Sequence, residues 1–300
     1  MLAASLLAPP LAAESTTAWK VELDAQEPCA LAVDRSGRVY VADAARARIL
    51  VLSPAGEPIR AIGRPGSAPD GRFFEPRGIT AGAGFHLIVA DTGNARIVRY
   101  STDLDGRAHT FDSVLLERGG LAGGLFRPTS VDFDPAGGLA ALDGESHEIL
   151  ILDPFGRLER RIAGFGDLPG RLEAPSALAY DRRRGIFVAD AAKIVVFDLF
   201  GAHRGDWALP GDAAPGGIAL DHRGRLAVAL PGEGKVLLFS ATGDLTETLT
   251  PTAAPIDVAF GPDGGLYVLD GRERTLRSLG EPATERSELP STSLSFPAKR

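Results

Sequence analysis

Five aspartates stand at one recurring place in the chain: Asp43, Asp91, Asp143, Asp190 and Asp270 each follow a proline by fifteen residues. The prolines are Pro28, Pro76, Pro128, Pro175 and Pro255, and a sixth, Pro215, is followed at the same spacing by Leu230. A carboxylate near Arg48, Arg96 or Lys193 has the makings of an acid–base pair. A catalytic constellation is built once, however, and a residue needed five times in equivalent places serves the repeat. We therefore expect each aspartate to cap the turn that follows it and to pair with the basic residue opening the next strand. Asn94 fits a left-handed position in that turn. The histidines, His86, His109, His147, His203 and His222, fall at different repeat positions, whereas zinc needs several converging ligands. They are expected at the surface. The glycine-rich run Gly164 to Gly170 lacks phosphate-loop spacing and precedes no helix, and neither G-x-S-x-G nor H-E-x-x-H occurs.

The elements that must position these groups follow from the intervals between prolines, 48, 52, 47, 40 and 40 residues. Within each unit short apolar runs alternate with turn residues, and no helical period is sustained. In the first, Ala30 to Val33, Arg38 to Ala42, Arg48 to Leu52 and Pro58 to Ile62 read as strands, separated by Asp34-Arg35-Ser36-Gly37, the turn after Asp43, and Pro54-Ala55-Gly56. Four strands per unit and six units predict an all-β fold, a six-bladed β-propeller of four-stranded antiparallel blades. Two and four residues past the proline stand small side chains, such as Ala30, Ala32, Ala177 and Ala179. Three and five past it stand bulky ones, such as Leu31, Val33, Leu178 and Tyr180. Strand side chains alternate faces, so each blade offers a small face to the large face of its neighbour.

An unpaired outer edge invites aggregation. Trp19 to Leu23 lies where the outer strands of other units lie relative to the next proline, and is expected to close the last blade from the other end of the chain; Glu285 to Leu289 is the rival. Near the axis the first strands contribute Asp132 and Asp257 as their acids, with mostly Ala and Gly elsewhere. A metal-assisted lyase or lactone hydrolase would have to work there.

Composition narrows the classes. Apolar residues make up 44% and charged residues 24% of 300, enough for a large core in one domain. The net charge of −7 opposes nonspecific nucleic-acid binding. The single cysteine, Cys29, permits no internal disulfide and no cysteine-built metal site, and reads as a small buried filler. MLAASLLAPPLAA, before Glu14, resembles a signal-peptide core and cleavage region, although no basic residue precedes it and Leu11 occupies a place favouring a small side chain. We assign 1–17 to a signal segment, 18–289 to the propeller and 290–300, rich in Ser, Pro and Thr, to a disordered tail. An exported, periplasmic or extracellular protein is expected, with no segment that inserts in a membrane.

VYVADAARARILVLSPAG, LIVADTGNARIVRYS and IFVADAAKIVVFDLFG resemble the NHL repeat, ADTGNARIV being close to its signature. PGSAPDGRFFEP, GGLAGGLFRP and GFGDLPGRLEAP are similar to the family's link to the next proline, and the fifth and sixth units lack that link. The resemblance, over about Trp19 to Leu289, implies a propeller of the bacterial exported type. It also implies that Phe74 and Phe126 bury between blades, with arginines as a solvated rim. RNA binding, known among animal relatives of the repeat, conflicts with the charge and the export-like start.

Strand order gathers the prolines, the second turns and the long links on one face. Cys29, Arg77, Thr129, Ser176, Gly216 and Ile256 then rim the axial funnel, and Arg72, Phe73, Phe74, Phe126, Arg127 and Arg171 come from the links. Arginine beside exposed aromatics is typical of protein-binding hot spots. The expected function is a non-enzymatic, monomeric scaffold without a cofactor, binding a protein, peptide or glycan through Arg77, Arg127, Arg72, Arg171, Thr129 and Ser176. A basic rim on an acidic body suits an anionic epitope.

Overall fold

Five of the six prolines open the innermost strand of a four-stranded antiparallel sheet, the sixth lies just before one, and the six sheets follow one another in a ring. The computed structural model describes residues 17–68, 70–82, 86–103, 108–118, 127–133, 138–181 and 183–280. Blade one comprises Pro28–Val33, Val39–Asp43, Arg48–Leu52 and Pro58–Ile62; the other blades repeat that order. The second strands, and most of the third, are largely apolar runs because both faces are covered, as in Leu139–Asp143 and Leu226–Leu230, where every residue is buried. Outer strands such as His203–Ala208 alternate between half-buried and exposed side chains.

The core is divided among the interfaces between successive blades. Ala30 and Ala32 of blade one meet Ile79 of blade two. Ala177 and Ala179 of blade four meet Ile218 of blade five, and Leu31 meets Ala259 across the join of the last blade with the first. Small-to-large nesting is thus what packs the ring. Closure is as expected: Thr17–Glu22 pairs antiparallel with Thr275–Leu279 as the outer strand of blade six. Trp19 packs edge-on against Tyr267, with ring centroids 5.9 Å apart, and its indole N–H donates to the Pro54 carbonyl of blade one. Glu285 to Leu289, the signal segment up to residue 16 and the tail lie outside the described residues.

The repeated aspartates do more than cap a turn. In the register Pro28 stands opposite Asp43, Pro76 opposite Asp91, Pro128 opposite Asp143, Pro175 opposite Asp190 and Pro255 opposite Asp270. Each carboxylate reaches across to an N–H just before that proline: Glu27 at 3.0 Å for Asp43, Phe74 at 2.7 Å for Asp91, Arg127 at 2.9 Å for Asp143, Ala174 at 2.7 Å for Asp190 and Ala254 at 3.0 Å for Asp270. The donors are backbone groups that the proline prevents from pairing in the ladder, so the carboxylate satisfies them. Arg48 and Arg96 pair with Asp43 and Asp91 as expected, at 3.3 and 2.7 Å. Lys193 does not pair with Asp190; its ammonium donates to Asp206 at 3.1 Å on the adjacent outer strand. Asn94 is not the left-handed residue of its turn: Ala95 is, with φ 51°, while the Asn94 amide braces Asp91 and the Gly66 carbonyl.

Blade five has Leu230 in place of the aspartate, fully buried. Its inner strand begins only at Ile218, three residues past Pro215, whereas the other inner strands begin on the proline.

Candidate functional site

The axial channel and the face that carries the links both bring polar side chains together. A cavity of about 330 Å³ lies on the axis and is lined by the inner strands of all six blades. Asp132, of blade three, accepts the Thr80 hydroxyl of blade two at 3.1 Å and the Tyr180 N–H of blade four at 2.8 Å. Asp257, of blade six, accepts the Leu31 N–H of blade one at 2.6 Å and the Val258 N–H at 2.9 Å. Blades three and six are opposite in a ring of six, so the aspartates act as two opposed ties, each spanning adjoining blades. Burial pushes the Asp257 carboxyl up to about 7, against the pull of the Leu31 and Val258 N–H groups. On its other side stands Gly217, where a Cβ would fall 1.6 Å from Oδ1 of Asp257. That glycine is required by contact with the carboxylate.

The donor set of this channel does not fit a bound metal. Both oxygens of each aspartate already accept hydrogen bonds, and among the described residues no group of three or more His, Cys, Asp or Glu converges. At the channel mouth the Ser176 hydroxyl of blade four donates to the Gly216 carbonyl of blade five at 3.0 Å. The Thr129 hydroxyl and Arg77 Nε are buried there without a hydrogen-bond partner. Cys29, half-buried at the mouth and packed against the core between blades one and two, lies 3.3 Å from the Pro76 carbonyl, and burial raises its thiol to about 12. It is therefore a poor nucleophile at neutral pH.

The link between blades one and two is held from below. Arg96, anchored by Asp91, donates to the carbonyls of Ser67 at 2.8 Å, Ala68 at 3.2 Å and Arg72 at 2.8 Å, fixing the link between blades one and two. Phe73 of that link is fully buried. Phe74, expected between blades, is 55% exposed instead, because its neighbour takes the interior place beneath Gly63. Phe126 lies outside the described residues. In the link between blades three and four, His147 Nδ1 lies 3.2 Å from the Leu172 carbonyl and its ring packs edge-on against Phe165. Phe165 and Leu168 are exposed, and sequence reasoning missed both, taking only Arg171 from their link as a binding residue.

The four arginines do not form one uniform rim. Arg77 is matched by Glu27 at 3.4 Å and Glu75 at 3.8 Å, and Arg72 faces Asp70 at 3.9 Å. Arg171 instead donates to the Ala163 carbonyl at 2.6 Å and lies along Gly164 and Gly166, while the exposed Arg127 guanidinium has no acidic partner among the described residues. Neither Arg127 nor Arg171 has an ion pair among the described residues, and Arg171, whose backbone N–H donates to the Leu168 carbonyl at 2.8 Å, stands by the exposed Phe165 and Leu168. The histidines are not uniformly superficial either. His109 lies between blades one and two, 5.8 Å from Tyr40, and burial brings its imidazole down to about 4.

No protein-family model matches the chain, and no curated protein matches it. Solved structures do. The chain is similar to a gluconolactonase from Xanthomonas campestris, with TM-score 0.64 and 18% identity over 86% of this chain and 87% of that one. It is similar to a streptogramin B lyase, with TM-score 0.62 and 14% identity over 88% and 97% of the two chains. It is also similar to a chain of the nidogen/laminin complex, with TM-score 0.58 and 21% identity over 75% and 80%. At these identities the likeness is one of fold, shared by enzymes and binding proteins alike.

Proposed function

We propose that the protein is an exported, non-enzymatic propeller of the NHL type that binds a protein, peptide or glycan on its link-bearing face. The observation that carries this reading is the contrast between that face and the channel. The channel's two carboxylates are spent on tying blades together. The face, by comparison, presents Arg127 and Arg171 without ion pairs among the described residues, the latter beside exposed Phe165 and Leu168. Exposed apolar side chains ringed by arginine are the usual makings of an interaction site, and the fixed links lower the ordering cost of binding. The likeness to a chain of the nidogen/laminin complex supports binding by this architecture.

The test is partner capture from the native envelope or medium, with wild type compared with a chain carrying Arg127→Glu and Arg171→Glu. Loss of the partner is expected. Unchanged recovery overturns the placement, and Arg77→Glu is the matched control because its charge is already met by Glu27 and Glu75. A second reading, a metal-assisted lyase or lactone hydrolase at Asp132 and Asp257, draws on the roughly 330 Å³ channel cavity and on the fold shared with a gluconolactonase and a streptogramin B lyase. Stoichiometric calcium or zinc in purified protein would revive it against the donor set described above.

A further inference from the structure

The opposite face carries an anomaly that the fold does not require. The turn between the third and fourth strands is built alike in four blades, as Ser53-Pro54-Ala55-Gly56, Asp153-Pro154-Phe155-Gly156, Asp198-Leu199-Phe200-Gly201 and Ser240-Ala241-Thr242-Gly243. In each, the glycine N–H bonds back to the first carbonyl, at 2.9, 3.0, 3.0 and 3.1 Å in that order. The first side chain accepts the N–H of the third residue: Ala55 at 3.3 Å, Phe155 and Phe200 at 2.9 Å, Thr242 at 3.2 Å. Alanine and threonine thus fill the third position with the turn intact. Phenylalanine there gains nothing from burial, since Phe155 is 78% and Phe200 81% exposed.

Each ring has an arginine beside it. The Arg157 guanidinium lies 6.0 Å from the Phe155 ring centre and that of Arg160 lies 5.9 Å from the Phe200 ring centre. Arg160 also donates to the Leu199 carbonyl, which links the two neighbouring turns. Neither guanidinium has an acidic partner among the described residues. We propose that these two turns form a contact site for an anionic lipid surface, the phenyl rings entering the interface and the arginines meeting the headgroups.

A lipid surface fits better than a protein for a geometric reason. Protein hot spots sit in packed pockets surrounded by contacts that exclude water. Here two isolated rings project from the tips of hairpins. A bilayer closes around such tips without needing a complementary pocket. The site is on the face away from the links, so it stands or falls independently of the binding function proposed above.

The test is cosedimentation of the full chain with vesicles of phosphatidylcholine alone and of phosphatidylcholine with phosphatidylglycerol, at physiological salt. Wild type is expected to partition onto the anionic vesicles. A chain carrying Phe155→Ala and Phe200→Thr, the residues that blades one and five already use, is expected to lose about tenfold or more in partitioning. Its unfolding midpoint should match wild type. Arg157→Ala should remove most of the preference for anionic vesicles. As an independent readout, Phe155→Trp should add emission that brominated lipid quenches beyond the wild-type signal of Trp19 and Trp207. Wild type left in the supernatant with both vesicles overturns the proposal, as does equal partitioning of the double variant. Self-association or protein binding through these tips without vesicle binding overturns it as well.

Discussion

Blade five and the other five solve one problem differently, and the difference shows what the repeated aspartate is for. Where the aspartate is present, the proline is drawn into register opposite it and the inner strand begins on the proline. Where Leu230 replaces it, the strand starts three residues later and Gly216 and Gly217 bridge the gap, the Gly217 N–H donating to Ile256 of blade six at 2.8 Å. The following turn differs in step. Four residues past the aspartate, Ala47, Ala95, His147 and Arg274 all adopt φ between 51° and 56°, a conformation costly to residues with a Cβ. At the same place in blade five stands Gly234, with φ 64°. A carboxylate that bonds the turn holds a non-glycine residue in the left-handed region; without it, glycine does so at no steric cost.

The comparison can be broken in order of expected effect. Asp91→Ala should destabilise most, by about 3–5 kcal/mol, since it leaves the buried Arg96 charge without its partner and the Phe74 N–H without an acceptor. A urea unfolding midpoint unchanged from wild type would contradict the clasp. Gly217→Ala should cost about 1–3 kcal/mol or more by forcing a methyl into the Asp257 carboxylate, whereas Ala30→Gly, at the equivalent place in blade one, should cost less. Gly234→Ala should cost about 1 kcal/mol in the same assay, while Ala47→Gly should be close to neutral, because only the former lacks a carboxylate to hold the turn. Equal effects at the two positions would remove the argument from the turns.

The remaining effect is a slope rather than a step. Asp257 is raised to about 7 in the folded chain, above the roughly 3.9 of an unfolded aspartate, so between those values the folded state binds more protons. Stability from this group is therefore lost as pH rises from about 4 to about 7, and changes no further above that. Asp257→Asn should flatten that part of the dependence of Tm on pH, whatever constant penalty the amide introduces. Parallel profiles for wild type and variant would show that the carboxyl titrates elsewhere.

The period of the fold was legible because each blade repeats one proline and one small-to-large alternation, and five of the six add one aspartate. The closing strand was legible because Trp19 to Leu23 stands at the repeat's own distance from Pro28. The channel aspartates were found as acids near the axis, but their engagement was hidden, since Leu31 and Tyr180 reach them only through ring geometry. Phe73 and Phe74 are adjacent and chemically identical, and no periodicity inside a link tells which turns inward. Lys193 took Asp206 of the outer strand although Asp190 stands opposite it in the ladder, because the Asp190 carboxylate is turned to the Glu173 and Ala174 N–H groups. Phe155 and Phe200 could have been found by aligning the third turns, where they stand against Ala55 and Thr242.

The pairing of Thr17–Glu22 with Thr275–Leu279 sets the order of events at birth. The strand that seals the ring leaves the ribosome first and must wait, unpaired, until the last blade has been synthesised. Closing so long a loop costs only slightly more than closing a short one, because the entropy grows with the logarithm of length. The search is slow all the same, as for all contacts distant in sequence. During that interval the outer edge of the last blade and the apolar side of Trp19 are open to other chains, and a quality-control factor acting on this protein would find its target there.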